Sequence, residues 1–176
     1  MVNIYYRSMG ATMIIAISGT PGTGKTTVAK LLGERLGYEV ISLNDFAREK
    51  NLLCGYDERR KCDIVDVEKI KSELRKLKKK NLVIESHYAH DMDSDVLIIL
   101  RTNPGELRKR GREKGWRREK IEENVLAEIM EICKSEALEQ GKGFYEIDTS
   151  NKTPKDVVDE IVKNLNINRK LSKTKG

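Results

Sequence analysis

Nowhere does this chain hold an apolar run near the ~20 residues that a bilayer-spanning helix needs. Its first dozen residues lack both the basic start and the continuous apolar stretch of a secretory signal, so a soluble, cytoplasmic protein is expected. Cysteine is scarce. Cys54, Cys62 and Cys133 form no C-x-x-C pair and cannot all pair with one another, so free thiols in a reducing compartment are expected. Internal repeats are absent, as is low-complexity sequence outside the C-terminal end. Length excludes a second large core: 176 residues suit one domain.

Charge is what the chain has in quantity, 35% of residues against 38% hydrophobic. A net charge of +6 points to nucleic acid only until it is located. Lys163, Arg169, Lys170, Lys173 and Lys175 supply five of those six charges, and no acid lies among them. The excess is therefore expected in a solvated basic tail, residues 166–176, with direct RNA contact left open.

Residues 1–12 read as a leader, and Met9 or Met13 could equally be the start. Met13–Ser18, Tyr38–Ser42, Asn81–Ser86, Asp95–Leu100 and Phe144–Asp148 read as strands. Helical spacing predicts helices over Lys25–Leu36 and from Val67 to about Lys79, the second capped by Asp66. A third opens at Asn103-Pro104 and ends at Gly115. One long helix is expected from about Arg118 to Gln140, and a last one from Pro154 to about Leu165. Residues 44–66 read as polar and irregular, with one short helical piece at Asp45–Lys50. Strands alternating with helices imply an α/β fold: a five-stranded parallel sheet covered on both faces.

Gly19-Thr20-Pro21-Gly22-Thr23-Gly24-Lys25-Thr26 fits G-x-x-x-x-G-K-[ST] at every fixed position, between a predicted strand and a predicted helix. Glycines let backbone N–H groups fold around phosphate oxygens, and the helix N-terminus adds its positive end. Lys25 then supplies charge to the β- and γ-phosphates of ATP, and the Thr26 hydroxyl ligates Mg²⁺. Gly22, Gly24 and Thr27 belong to the same cradle. Glu85 ends a strand at the sheet edge where such folds bind ligands, so it could hold Mg²⁺ through water or orient an attacking hydroxyl. A guanine-reading Asn-Lys-x-Asp is missing, because Pro154 stands where the aspartate belongs, and this disfavours a GTPase. Arg48, in Asp45-Phe46-Ala47-Arg48, could clamp a phosphate bidentately. Lys109, Arg110, Arg112, Lys114, Arg117 and Arg118 crowd one connection, as neutralising a transferring phosphoryl group requires.

These residues resemble the adenylate kinase isoenzyme 6 family. The likeness is carried by GTPGTGKTT, Asp45–Glu49, Gly55–Glu58, Asp63–Asp66, Leu100–Thr102, Gly115-Trp116 with Glu119-Lys120 and Asn124, and Ser150–Lys152. It covers roughly residues 13 to 165. The resemblance implies a P-loop nucleoside monophosphate kinase of broad specificity with ATPase activity. It further implies a role in maturation of the small ribosomal subunit through a protein of its platform. It places a monophosphate-binding region at 42–65 and a short lid at 113–123. Arg48 matches the family's phosphate-clamping arginine, Arg110 an arginine before the lid, and Glu85-Ser86-His87 its acid-x-His motif. The family's lid arginine is Lys114 here, which keeps the charge and loses the planar fork.

His87 reads as a residue that orients water or phosphate. Drawing His87 and His90 with nearby aspartates as a metal site is disfavoured, because nothing supplies an ordered shell around them. Trp116 could stack on adenine or pack the lid. Lys152 follows the fifth strand, where its loop could lie beside a purine. A metabolic kinase and a ribosome-assembly ATPase both fit these residues, and a shikimate-type kinase is a third alternative.

Overall fold

The computed structural model describes residues 13–59, 62–78 and 81–173, with backbone alone over 166–173. The leader at 1–12 and the last three residues of the expected tail lie outside them. In chain order the first half forms β1 (Ile14–Ser18), α1 (Lys25–Leu36), β2 (Glu39–Ser42), α2 (Leu43–Glu49), β3 (Leu53–Asp57), β4 (Cys62–Val65) and α3 (Val67–Lys76). Then follow β5 (Leu82–Glu85), a 3-10 turn (Ala89–Asp91), β6 (Val96–Arg101), α4 (Pro104–Glu113), α5 (Arg118–Ile129), α6 (Ile132–Glu139), β7 (Tyr145–Asp148) and α7 (Pro154–Lys173).

Continuous apolar runs make buried parallel strands, and the sheet order is β2-β5-β1-β6-β7. β1 lies at the centre, with Ile17 opposite Glu85 on one side and Ser18 opposite Ile99 on the other. The chain turns in opposite directions from this strand, so a crevice opens beyond its C-terminal end. Val28, Leu32, Val157 and Ile161 of α1 and α7 cover one face of the sheet. Leu43, Phe46, Ile70, Cys133 and Ala137 cover the other. Gly33 is what brings α1 this close to β2: a Cβ there would lie 2.3 Å from Val40 Cγ2.

The expected caps form. Asp66 accepts from the Lys69 N–H at 3.0 Å, and Asn103 accepts from the Glu106 N–H at 2.8 Å. Three expectations need correction. The irregular stretch 44–66 contains an antiparallel hairpin, β3–β4, because Asp57 and Cys62 close a ladder that Leu53 and Val65 anchor. The single helix over 118–140 is two helices, separated at Glu131 by a left-handed φ of 53°. The last helix does not stop near Leu165 but runs to Lys173, through most of the segment read as a tail.

Candidate active site

The phosphate loop is folded as its glycines allow. Gly19, Gly22 and Gly24 have φ of 143°, 98° and 95°, and a Cβ at Gly19 would lie 2.4 Å from the Leu100 carbonyl oxygen. Unlike α3 and α4, α1 has no side-chain cap, so its first N–H groups are left to the loop. Lys25 is 8% exposed, and its Nζ donates to the Thr20 carbonyl at 3.0 Å. Burial pulls its pKa down to about 8, with Lys114 pushing the same way and Glu85 opposing. Thr27 is exposed beside it.

Two of the expected site residues meet. Thr26 Oγ1 donates to Glu85 Oε1 at 3.3 Å, joining the start of α1 to the end of β5. A hydroxyl and a carboxylate oxygen so placed are hard donors of the kind Mg²⁺ accepts, with water and phosphate completing its shell. Among the described residues, no group of three or more His, Cys, Asp or Glu side chains could hold a metal.

The two histidines part company. His87 is exposed just past β5, its ring edge-on to Tyr88 at 5.0 Å. Crowding by the surrounding protein, then the nearby Lys25 ammonium and His90, lower its pKa to about 4, so the imidazole is neutral near pH 7. His90 is buried instead, 2.8 Å from Ser18 Oγ through Nδ1 and 2.9 Å from Glu136 Oε2 through Nε2. It ties β1 to α6.

From Thr26 and Glu85 a cleft of about 540 Å³ continues along Val40–Ser42 to Asp45 and Phe46 of α2. Arg48 stands on α2 as expected, but its guanidinium is engaged. Nε donates to Asp63 at 2.8 Å and one terminal nitrogen to Asp45 at 3.3 Å, so Arg48 fastens the hairpin to α2.

On the opposite side, Arg110 is held against the loop. It donates to the Gly22 carbonyl at 3.4 Å, the Thr149 carbonyl at 3.0 Å and Glu106 at 3.1 Å. Trp116 packs in the notch between α4 and the loop: a Cβ on Gly22 would approach its ring to 3.5 Å. Lys114 Nζ lies 5.3 Å and Lys120 Nζ 4.9 Å from the centroid of that ring. Lys152 bonds Glu160 at 2.8 Å.

Sequence reasoning passed over Glu128 and Thr149. Glu128 accepts from Thr20 Oγ1 at 2.5 Å, Arg101 Nε at 2.6 Å and the Thr102 N–H at 3.0 Å. The Thr149 hydroxyl lies 3.1 Å from the Thr23 carbonyl. A glutamate on an exposed-looking helix and a threonine after a strand carry no signal of this; only the pairing of distant segments does.

The family described as an AAA domain matches residues 15–131. A protein of Thermococcus kodakarensis is 44% identical over 152 residues, covering 85% of this chain and 84% of that protein. One from Methanocaldococcus jannaschii is 38% identical over 152 residues, with 85% and 84% covered. Both carry the name "Putative adenylate kinase". Among solved structures, shikimate kinase from Bacteroides thetaiotaomicron superposes with a TM-score of 0.64 at 18% identity, covering 89% of this chain and 99% of that one. Shikimate kinase from Acinetobacter baumannii also gives 0.64, at 19% identity, with 89% and 94% covered. At these identities the likeness to solved structures speaks for the fold of a P-loop kinase. The chain belongs to the same family as its archaeal relatives, a family of P-loop proteins named for adenylate kinase.

Proposed function

We propose that this protein is an ATP-dependent nucleoside monophosphate kinase that converts ATP and AMP to two ADP and accepts other monophosphates. One observation carries the reading: the cleft along β2 and α2 opens directly onto Thr26 and Glu85. An acceptor held there meets a donor phosphate on the loop without crossing the protein. Lys25 neutralises charge on the transferring group, while Thr26 and, through water, Glu85 would hold Mg²⁺, which supplies Lewis-acid stabilisation when bound. Gly22, Gly24 and Thr27 would contribute backbone N–H groups, Lys114 a lid charge, and Arg110 the stiffness of the loop. Arg48 clamps the acceptor phosphate by releasing Asp45 or Asp63. Lys152 would lie beside the base. A coupled assay with ATP and AMP, dAMP, CMP, UMP, GMP or shikimate tests the assignment. Turnover is expected with the monophosphates, and turnover on shikimate alone would overturn it.

We extend the proposal to ATP hydrolysis, on the position of His87. A neutral imidazole just past β5, beside the end of the sheet where the phosphate loop lies, would hold a water at the γ-phosphate. A ribosomal platform protein as partner, and a cytoplasmic location, rest on the family resemblance. An ATPase rate that responds to such a basic protein would support that partner, and an unresponsive rate would remove it.

A further inference from the structure

We infer that Glu128 is a positioning residue of the phosphate loop, acting through Thr20. The inference rests on the proposal that this loop binds the phosphates of ATP.

Glu128 is 3% exposed, and nothing about packing demands a carboxylate there. Burying one is costly unless partners surround it. Its two oxygens are fully used, one by Arg101 Nε and the Thr102 N–H, the other by the Thr20 hydroxyl. Arg101 also grips the Glu128 carbonyl at 3.0 Å and Glu131, the left-handed residue at the helix break, at 2.7 Å. The carboxylate is thus held from β6 while it holds the loop.

Thr20 is the residue on which the loop's own bonds converge. Its carbonyl accepts from Lys25 Nζ at 3.0 Å, from Thr23 Oγ1 at 2.9 Å and from the Thr23 N–H at 3.2 Å. When Lys25 turns to a phosphate, that carbonyl loses its strongest partner. The Thr20 hydroxyl, fixed by an ionised acceptor, then keeps the loop from relaxing after the lysine. Glu128 lies on α5, whose other end begins directly beyond Trp116 and Arg117. Glu128 therefore ties α5 and β6 together to Thr20 through one short hydrogen bond.

Thr20→Val keeps the side-chain shape and deletes the hydroxyl, whereas Thr20→Ser keeps it. ATP affinity is read by calorimetric titration in the presence of Mg²⁺, and kcat and KM for ATP by the coupled assay with AMP. T20V is expected to weaken ATP binding about tenfold, with a matching rise in KM and less change in kcat. T20S is expected within about twofold of the natural protein. Adding Glu128→Gln to T20V should weaken ATP binding no further, because Glu128 acts through the hydroxyl already removed. Should E128Q fail to fold, the T20V and T20S pair decides alone. Unchanged affinity in T20V, an equal loss in T20S, or a further loss in the double variant would each overturn the inference. A natural protein that binds ATP but phosphorylates no monophosphate would remove the kinase reading and leave this comparison intact.

Discussion

A lysine already stripped of water is primed for phosphate, and it is also a burden on the apo protein. Lys25 falls to about 8 from 10.5 on folding, chiefly through burial. Between those values the unfolded chain keeps a proton that the folded chain has released. Lys25 therefore makes stability rise with pH from about 8 to 10.5, and below 8 its buried charge disfavours the fold. Lys25→Met should abolish phosphotransfer, leave the protein as stable or more stable at pH 7, and flatten that rise. Both follow from denaturant titrations at several pH values, with the variant as the difference. His87 calls for a separate comparison. Transfer between two bound nucleotides needs positioning and charge, whereas hydrolysis also needs a placed water. H87A is therefore expected to depress ATP hydrolysis more than transfer to AMP, measured on one preparation. Equal losses would make His87 a support of the site with no special part in hydrolysis.

At the level of elements, legibility followed how local the determining contacts are. The phosphate loop, the capped helices and the five strands announce themselves through glycines, Asp66, Asn103-Pro104 and apolar runs. The hairpin did not, because Leu53–Asp57 and Cys62–Val65 are short, half polar and stable only against each other. The break at Glu131 was equally silent, since neither glycine nor proline marks it. A non-glycine residue there costs about 1 kcal/mol or more. That cost is offset by ion pairs with Arg101 at 2.7 Å and Lys134 at 3.2 Å. The consequence is steep for Arg101. Arg101→Met leaves the buried Glu128 without its cation and should destabilise the protein by about 3–5 kcal/mol in thermal or urea unfolding. Adding E128Q to R101M should recover part of that loss. Additive losses would mean that the two residues do not act as a pair. Site residues divided in the same way: Thr26 and Glu85 meet across α1 and β5, whereas Lys25, Arg48 and Arg110 are found holding protein groups, which no spacing foretells.

Across the whole molecule, α2 and the hairpin follow β2 on one side of β1, and α4–α5, carrying Trp116, follow β6 on the other. Trp116 is the one tryptophan in the chain, and it packs beside Leu107 and Ile121 next to the loop, with Lys114 and Lys120 beside its ring. If ATP draws Lys114 to its phosphates, the charge near the indole changes. Tryptophan emission should therefore change on adding ATP with Mg²⁺, saturating at the affinity measured by calorimetry. Lys114→Ala should shrink the change, and an emission spectrum indifferent to saturating ATP would separate Trp116 from the nucleotide.

Among the described residues the hairpin forms its own two-stranded sheet. The Arg48–Asp63 bond and the packing of Val65 against the core tie it to the body, and the bond from the Asp66 N–H to the Leu52 carbonyl closes its base. It can therefore unzip while every hydrogen bond of the five-stranded sheet stays closed. In hydrogen–deuterium exchange its amides should take up label well before those of β1 and β5, at a rate set by its own small opening energy. If an acceptor binds beneath it, opening the hairpin would free that acceptor without disturbing the sheet that carries the phosphate loop.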